Sequence, residues 1–352
     1  MDIHAVIMAG GVGSRFWPMS TLKLPKQFID VLGTGRTMIQ MAFDRLDGLC
    51  PVSNVWVVTS AKYVRYVREQ LPQLPAGNIL AEPAARNTAP CIAYALWKIA
   101  RRRGGEDSLV VFGPSDALVL DNAAYRKNIS LALSHAALGD SIVTVGIRPT
   151  RPETGYGYIQ LQSGLEACVG EGVWKVCKFH EKPDLDTARA YLARGGFLWN
   201  AGIFVSRVRT LERSVRSYLP DTAKLFDRMA AAGFAPEIVE ELFPKCEKIS
   251  IDYAVMEKYP DICTVPSDFQ WSDLGTWGAL LQNSPTDADG NAVVASEGAR
   301  VRVHDCKGCV VNVDGLSRVE LEGLQDCIVA CRDGNLLVCR LNSEQKIKDF
   351  SE

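Results

Sequence analysis

The chain has 352 residues, enough for one large domain and a smaller one. Hydrophobic residues make up 47%, charged residues 23%, and the formal net charge is −2. That is ordinary globular composition, and its lack of a basic excess or polybasic run argues against nucleic acid or an anionic membrane as partner. The apolar run His4–Ala9 is short and follows Asp2 rather than a positive segment, so it does not read as a signal peptide. No stretch approaches the ~18 apolar residues of a membrane span. A cytoplasmic protein is therefore expected.

The first two-thirds alternate strand-like and helix-like text. Residues 3–9 form a short apolar run ended by glycines and read as a buried strand. Residues 37–46 have helical spacing, 55–59 read as a strand and 62–71 as a helix. Residues 88–103 make a strong helix: Thr88 caps it, Pro90 sits in the tolerant first turn, and Arg101–Arg103 lie at the favourable C-terminal end. A strand at 109–113, a helix at 123–138 and a strand at 142–146 follow. This alternation predicts an α/β fold, a Rossmann-like, mostly parallel sheet with helices on both faces. Ligands on such sheets lie at the carboxyl ends of strands.

Strands at 158–162, 173–181 and 202–206 extend the sheet, and 209–259 reads as mostly helical. The turn-rich stretch Ser284–Asn291 marks a boundary. It predicts a large domain over residues 1–283, the part in which the chemistry below falls, and a small β-rich domain over 292–352. In that domain short Val-rich segments are broken by Gly and Asp, which fits either a sandwich-like piece or a few turns of a β-helical solenoid. No strict internal repeat is evident.

Eleven cysteines are an odd number, and most, such as Cys91, Cys177 and Cys339, sit in apolar runs. They read as reduced, partly buried thiols. Cys306, Cys309, Cys327 and Cys331 offer four thiols for zinc. CxxC followed by CxxxC inside strand-like text is a weak match to such a site.

Chemistry first shows in Ala9-Gly-Gly-Val-Gly-Ser-Arg15, directly after a strand. Glycines let a backbone approach a ligand and turn its N–H groups toward an anion, and Arg15 adds a planar cation for phosphate oxygens. The spacing fits neither the P-loop nor the dinucleotide fingerprint. Taken alone, the stretch reads equally well as a tight turn after a strand. Eleven residues beyond Arg15 comes Lys26, in Leu24-Pro-Lys-Gln27.

GG-x-G-x-R followed by P-K resembles the sugar-phosphate nucleotidyltransferases. Further segments resemble their mannose-1-phosphate guanylyltransferase branch: Glu82–Pro90, Pro152–Tyr158, Glu181-Lys-Pro183, Trp199–Gly202, Ser250–Glu257 and Trp271–Trp277. They occur in the family's order over residues 3–278. The resemblance implies attack of a sugar 1-phosphate oxygen on the α-phosphorus of a nucleoside triphosphate, with pyrophosphate leaving. Such in-line displacement between anions needs positioning, a metal and fixed cations, and no nucleophilic side chain.

By that resemblance Arg15 and Lys26 are the catalytic cations, and Asp116 and Asp273 hold Mg²⁺. Relatives carry His after the first of these acids, where this chain has Ala117, so metal geometry or rate is open to change. Gly10, Gly11, Gly13, Glu82, Arg86, Asn87 and Thr88 are the expected nucleotide-binding residues, although Asn87 and Thr88 also read as helix caps. Gly155, Tyr156, Glu181, Lys182 and Asn200 are the expected sugar-phosphate residues, with a strand-end turn as the plain alternative for Asn200. GTP and mannose 1-phosphate are the implied substrates. The same chemistry on another sugar such as a manno-heptose is the alternative enzyme, and a non-catalytic sugar-nucleotide sensor is the alternative of another class. Bifunctional relatives carry a further isomerase domain, for which this chain is too short, so guanylyl transfer alone is expected. The β-rich tail is expected either to pack on the catalytic domain or to mediate a homodimer.

Overall fold

A computed structural model describes residues 1–162 and 168–350. The last two residues of the expected C-terminal domain thus lie outside the described residues. The strands, in chain order, begin with β1 (Ile3–Ala9), β2 (Val55–Ser60), β3 (Ile79–Glu82), β4 (Leu109–Pro114), β5 (Leu118–Val119) and β6 (Ile142–Ile147). Next come β7 (Tyr158–Leu161), β8 (Cys168–Gly170), β9 (Val173–His180), β10 (Phe197–Arg207), β11 (Ile262–Ser267) and β12 (Trp271–Ser272). The tail adds β13 (Ala292–Ala295), β14 (Arg300–His304), β15 (Val310–Val313), β16 (Arg318–Glu322), β17 (Cys327–Arg332) and β18 (Asn335–Arg340).

Contacts divide the chain into two compact units. The first comprises Met1–Gly10, Phe43–Pro114 and Val119–Trp271; the second comprises Gly11–Ala42, Ser115–Leu118 and Ser272–Glu352. The expected division along the chain, at 283–292, and this division by contacts follow different bounds.

The first unit is an α/β sheet of ten strands in the order β3-β2-β1-β4-β10-β6-β11-β9-β7, with β8 on β9. β3, β2, β1 and β4 are parallel, as the βαβ alternation predicts, and β6 is parallel to β11. β10 runs antiparallel between β4 and β6 and also pairs with β7. Alternate residues of β4 enter different cores: Val110 and Phe112 on one face, Leu109 and Val111 on the other. Both faces are covered, which is why the strands read as continuous apolar runs. One face packs against the helices Thr88–Ala100, Val208–Tyr218 and Pro220–Ala231, the other against Asn122–Ala136. Thr88–Ala100 buries ten of its thirteen residues, so it is apolar nearly all round. Each large side chain buried there, such as Trp97, contributes about 1.5–3 kcal/mol of transfer free energy.

β10 begins at Phe197, five residues before the strand expected from the sequence, so Asn200 lies within a strand. A register shift between Asn200 and Phe204, with Gly202 at φ +69°, breaks the alternation that would have marked the strand's start.

In the second unit the tail is a solenoid. Ala292 pairs in parallel with Val310, and Val310 with Ile328, an offset of eighteen residues each time. Arg300 pairs with Arg318 at the same offset on the two-stranded sheet of β14 and β16. Val311, Val313, Val329 and Cys331 fill the space toward Val301, Val303, Val319 and Leu321. The solenoid alternative is therefore the correct one, and the chain does carry a structural repeat. After the Asp333-Gly334 turn, β18 folds back antiparallel on β17.

The four candidate zinc thiols do not gather. Cys306, Cys309 and Cys327 pack with Val303, Leu321 and Leu324, while Cys331 belongs to another apolar cluster. The Cys306 and Cys327 thiols donate to the His304 and Gln325 carbonyls. Among the described residues all eleven cysteines are unpaired as disulfides, and no helix is long and apolar enough to cross a membrane.

Candidate active site

In the second unit, the glycine-rich turn and the Pro-Lys segment fold onto each other. The backbone N–H of Lys26 donates to the Val12 carbonyl at 3.1 Å, and the Gln27 amide donates to the Gly11 carbonyl at 2.8 Å. The Ser20 hydroxyl also donates to Val12. Gly13 has φ +75°, and a Cβ there would sit 2.7 Å from the Lys26 Cβ. Glycine is thus required twice over, by conformation and by space. The turn is tight, as the plain alternative has it, and it is tight against Lys26.

Lys26 is 2% exposed. Its ammonium donates to the Asp116 carbonyl at 2.9 Å and to the Asp273 carbonyl at 2.8 Å, and lies 3.8 Å from the Asp116 carboxylate. One buried cation therefore gathers the two acid-bearing turns that are 157 residues apart in sequence. Burial pushes its pKa below the usual lysine value, while Asp116 and Asp273 oppose the shift. Arg15 stands exposed beside them, its guanidinium donating to the Gly275 carbonyl at 3.4 Å. The Arg15 carbonyl accepts from the Trp277 indole at 3.0 Å. Gly275 donates to the Asp273 carboxylate at 2.9 Å, and a Cβ at Gly275 would lie 2.4 Å from that carboxylate.

Among the described residues no group of three or more His, Cys, Asp or Glu side chains gathers to hold a metal alone. Two carboxylates that rely on substrate phosphates and waters for the remaining ligands suit a hard, oxygen-loving divalent cation. Asp116, with its side chain 45% exposed, and Asp273 fit that description. Ala117, the residue after Asp116, is buried in the fold.

In the first unit, Glu82 ends β3 and is buried, and one of its carboxylate oxygens has no hydrogen-bond partner. The other lies 3.6 Å from where a Cβ on Gly10 would stand. Burial pushes the Glu82 pKa up to about 7. Arg86 donates to the Pro244 carbonyl and keeps a buried, unpartnered Nε. Asn87, at φ +66°, accepts from the Thr88 N–H at 2.8 Å and so caps the helix Thr88–Ala100. The Thr88 hydroxyl accepts from the Ile251 N–H at 2.9 Å. The cap reading of Asn87 is thus realised, and both side chains are engaged within the fold.

The expected sugar residues come together in the same unit. A Cβ on Gly157 would meet the Glu181 carboxylate at 2.7 Å and the Asn200 Cβ at 3.5 Å. The bare glycine lets these two side chains close over the strand. Glu181 pairs with Lys182 at 3.0 Å. The Gly155 N–H donates to Glu153 at 3.0 Å. Tyr156 stands edge-on to Trp199 and Trp271, with centroids 5.2 and 5.3 Å away, and the indole N–H groups of both tryptophans are buried without partners. Sequence reasoning misses Asp252. It accepts from the Asn200 amide at 2.9 Å, and only its place in the ordered segment Ser250–Glu257 points to it.

The nucleotidyl transferase family profile matches residues 4–290. Xanthan biosynthesis protein XanB of Xanthomonas campestris pv. campestris is 36% identical over 354 residues, covering 99% of this chain and 72% of that protein. A mannose-1-phosphate guanylyltransferase of Escherichia coli K12 is 35% identical over 364 residues, covering 99% of this chain and 73% of its own length. The crystal structure described as a mannose-1-phosphate geranyltransferase from Thermus thermophilus is similar at a TM-score of 0.87 and 31% identity, over 99% of this chain and 98% of that one.

Proposed function

The chain belongs to the nucleotidyl transferase family, and from that premise we propose that it moves a GMP unit from GTP to α-D-mannose 1-phosphate, giving GDP-mannose and pyrophosphate. A phosphate oxygen of the sugar phosphate attacks the α-phosphorus of GTP; the bond from that phosphorus to the β-phosphate oxygen breaks, and pyrophosphate leaves with the electron pair. The observation that carries the reading is the buried Lys26 ammonium drawing the Asp116 and Asp273 turns together beside the exposed Arg15. That cluster has acids for a cation and a cation for phosphates, which is what transfer between two anions requires.

In this reading Arg15 grips the triphosphate, and the backbone of Gly10, Gly11 and Gly13 lets the nucleotide approach closely. Asp116 and Asp273 hold Mg²⁺, which when bound neutralises phosphate charge. Glu82 reads the guanine edge, while Arg86, Asn87 and Thr88 shape the wall behind it. Glu181 and Asn200 take the sugar hydroxyls, Gly155 and Tyr156 frame the ring, and Lys182 faces its phosphate. Pyrophosphate release across four nucleoside triphosphates and several sugar 1-phosphates, with and without Mg²⁺, tests the reading. A sharp, Mg²⁺-dependent maximum at GTP with mannose 1-phosphate is the expected result; a maximum elsewhere or none at all overturns it.

Catalysis belongs to residues 1–283 in this reading, and residues 292–352 mediate self-association. The support for self-association is an edge strand, β18, whose Leu336 and Val338 are 61% and 54% exposed side by side. Leu336→Asp is expected to shift sedimentation from dimer to monomer, and an unchanged sedimentation coefficient would argue against this surface.

A further inference from the structure

The segment Ser250–Glu257 supplies a side chain for which the reaction as described has no use. Asp252 opens a π-helical turn, Asp252–Met256, a form of helix that is rare and tends to occur at functional sites. Its Oδ1 accepts from the Asn200 Nδ2 at 2.9 Å. The Asn200 Oδ1 accepts from the Thr144 hydroxyl at 3.2 Å and from the Gly202 N–H at 3.1 Å. The bonds with Gly202 and Asp252 fix which way the Asn200 amide faces, since a flipped amide would set donor against donor at Gly202 and acceptor against acceptor at Asp252, while the Thr144 hydroxyl shares its single proton between Asn200 and the Ile203 carbonyl at 2.9 Å. One Asn200 N–H remains.

Two acceptors also remain. Among the described residues, the Glu181 oxygen that faces Gly157 has no hydrogen bond, and the Asp252 carboxylate, which takes its own backbone N–H besides the Asn200 amide, keeps lone pairs to spare. Burial and the neighbouring Glu181 carboxylate raise the Asp252 pKa to about 6. Two like charges that feel each other and lie partly out of water are unfavourable unless a ligand donates to both. A polyhydroxy ring has such donors on adjacent carbons.

We propose that Asp252 sets sugar selectivity, by locking the Asn200 amide in one orientation and by presenting, with Glu181, a second acceptor to the sugar hydroxyls. The proposal rests on the sugar 1-phosphate reading above. It makes Asp252 both a positioning residue and a direct contact, and the two roles separate by substitution. Asp252→Asn keeps an oxygen for Asn200 and loses the free acceptor. Thr144→Val keeps both carboxylates and loosens the amide.

The test is steady-state kinetics of the full chain with mannose 1-phosphate and glucose 1-phosphate at saturating GTP, together with the KM for GTP. Asp252→Asn is expected to raise the sugar phosphate KM about ten- to a hundredfold, the range for a charged hydrogen bond. It should leave the GTP KM unchanged and narrow the preference between the two sugars. Thr144→Val is expected to shift the same ratio in the same direction by less, and it keeps the proposal testable if Asp252→Asn does not fold. An unchanged sugar ratio in both variants, or equal rises in the KM for sugar phosphate and GTP, overturns the proposal. If the wild type prefers another sugar 1-phosphate, the mannose reading fails, and the role of Asp252 stands or falls on whether the variants lose selectivity for that sugar.

Discussion

Lys26→Ala is expected to lower kcat by about 10²–10³, a loss of the size seen when a preorganised charged group is taken out of a reacting site. The Mg²⁺ concentration for half-maximal rate should rise with it. The ammonium is almost wholly buried, and two of its three N–H donors go to the carbonyls of Asp116 and Asp273. The third faces the Asp116 carboxylate. Removing it leaves two carbonyls without a donor and the two acids proposed to hold the metal without the group that spaces them. Each orphaned carbonyl costs about 1–3 kcal/mol, so the melting temperature should also fall. A circular-dichroism melt separates a folded, inactive variant from an unfolded one. A folded Lys26→Ala protein with near wild-type turnover and an unchanged Mg²⁺ titration would remove Lys26 from the mechanism.

The sequence leads to Lys26 and to both acids through the order of its motifs, but not to the geometry that joins them. Periodicity reports which face of an element is buried, and it says nothing of a bond between residues 26 and 273. The α/β core is legible because both faces of its sheet are covered, leaving unbroken apolar runs at 55–59, 109–113 and 142–146 that only buried strands explain. β10 reads short in the sequence because the bulge at Asn200 interrupts the pattern at the very place where the chain aims a polar side chain. The solenoid repeat is hidden by its composition. Ala292, Val310 and Ile328 occupy equivalent places, as do Arg300 and Arg318, and Cys309 and Cys327 lie eighteen residues apart at the corners. Apolar exchanges of this kind keep the packing and erase the textual repeat. Asp252 escapes the sequence for a different reason: its meaning is a hydrogen bond to a residue 52 positions away, and a lone Asp beside apolar text reads first as a helix cap.

In the proposed reading guanine is selected by Glu82, and Glu82→Gln is expected to lower kcat/KM for GTP about a hundredfold, as two bonds to a charged acceptor are weakened. Guanine presents two adjacent donors, N1–H and the exocyclic amine, and one carboxylate accepts both. Adenine presents an acceptor in place of the first and gains nothing from it. The chain holds this carboxylate buried, with one oxygen unpartnered and the other beside the bare Gly10, so its hydrogen-bonding capacity is unmet within the fold. Burial sets its pKa at about 7, far above the usual glutamate value. The titratable groups beside it, Cys91 and Tyr94, are themselves pushed upward and stay neutral through this range. The ionised form that guanine needs is present above pH 7, and below it binding must first remove a proton. The KM for GTP is therefore expected to climb as pH falls below 7, approaching about tenfold per pH unit. Glu82→Gln carries no such proton, so its KM for GTP should be higher and flat through the same window, with a narrowed preference over ATP. A Glu82→Gln protein that keeps its full preference for GTP would place guanine recognition elsewhere, and one that keeps the pH dependence would assign the titration to another group.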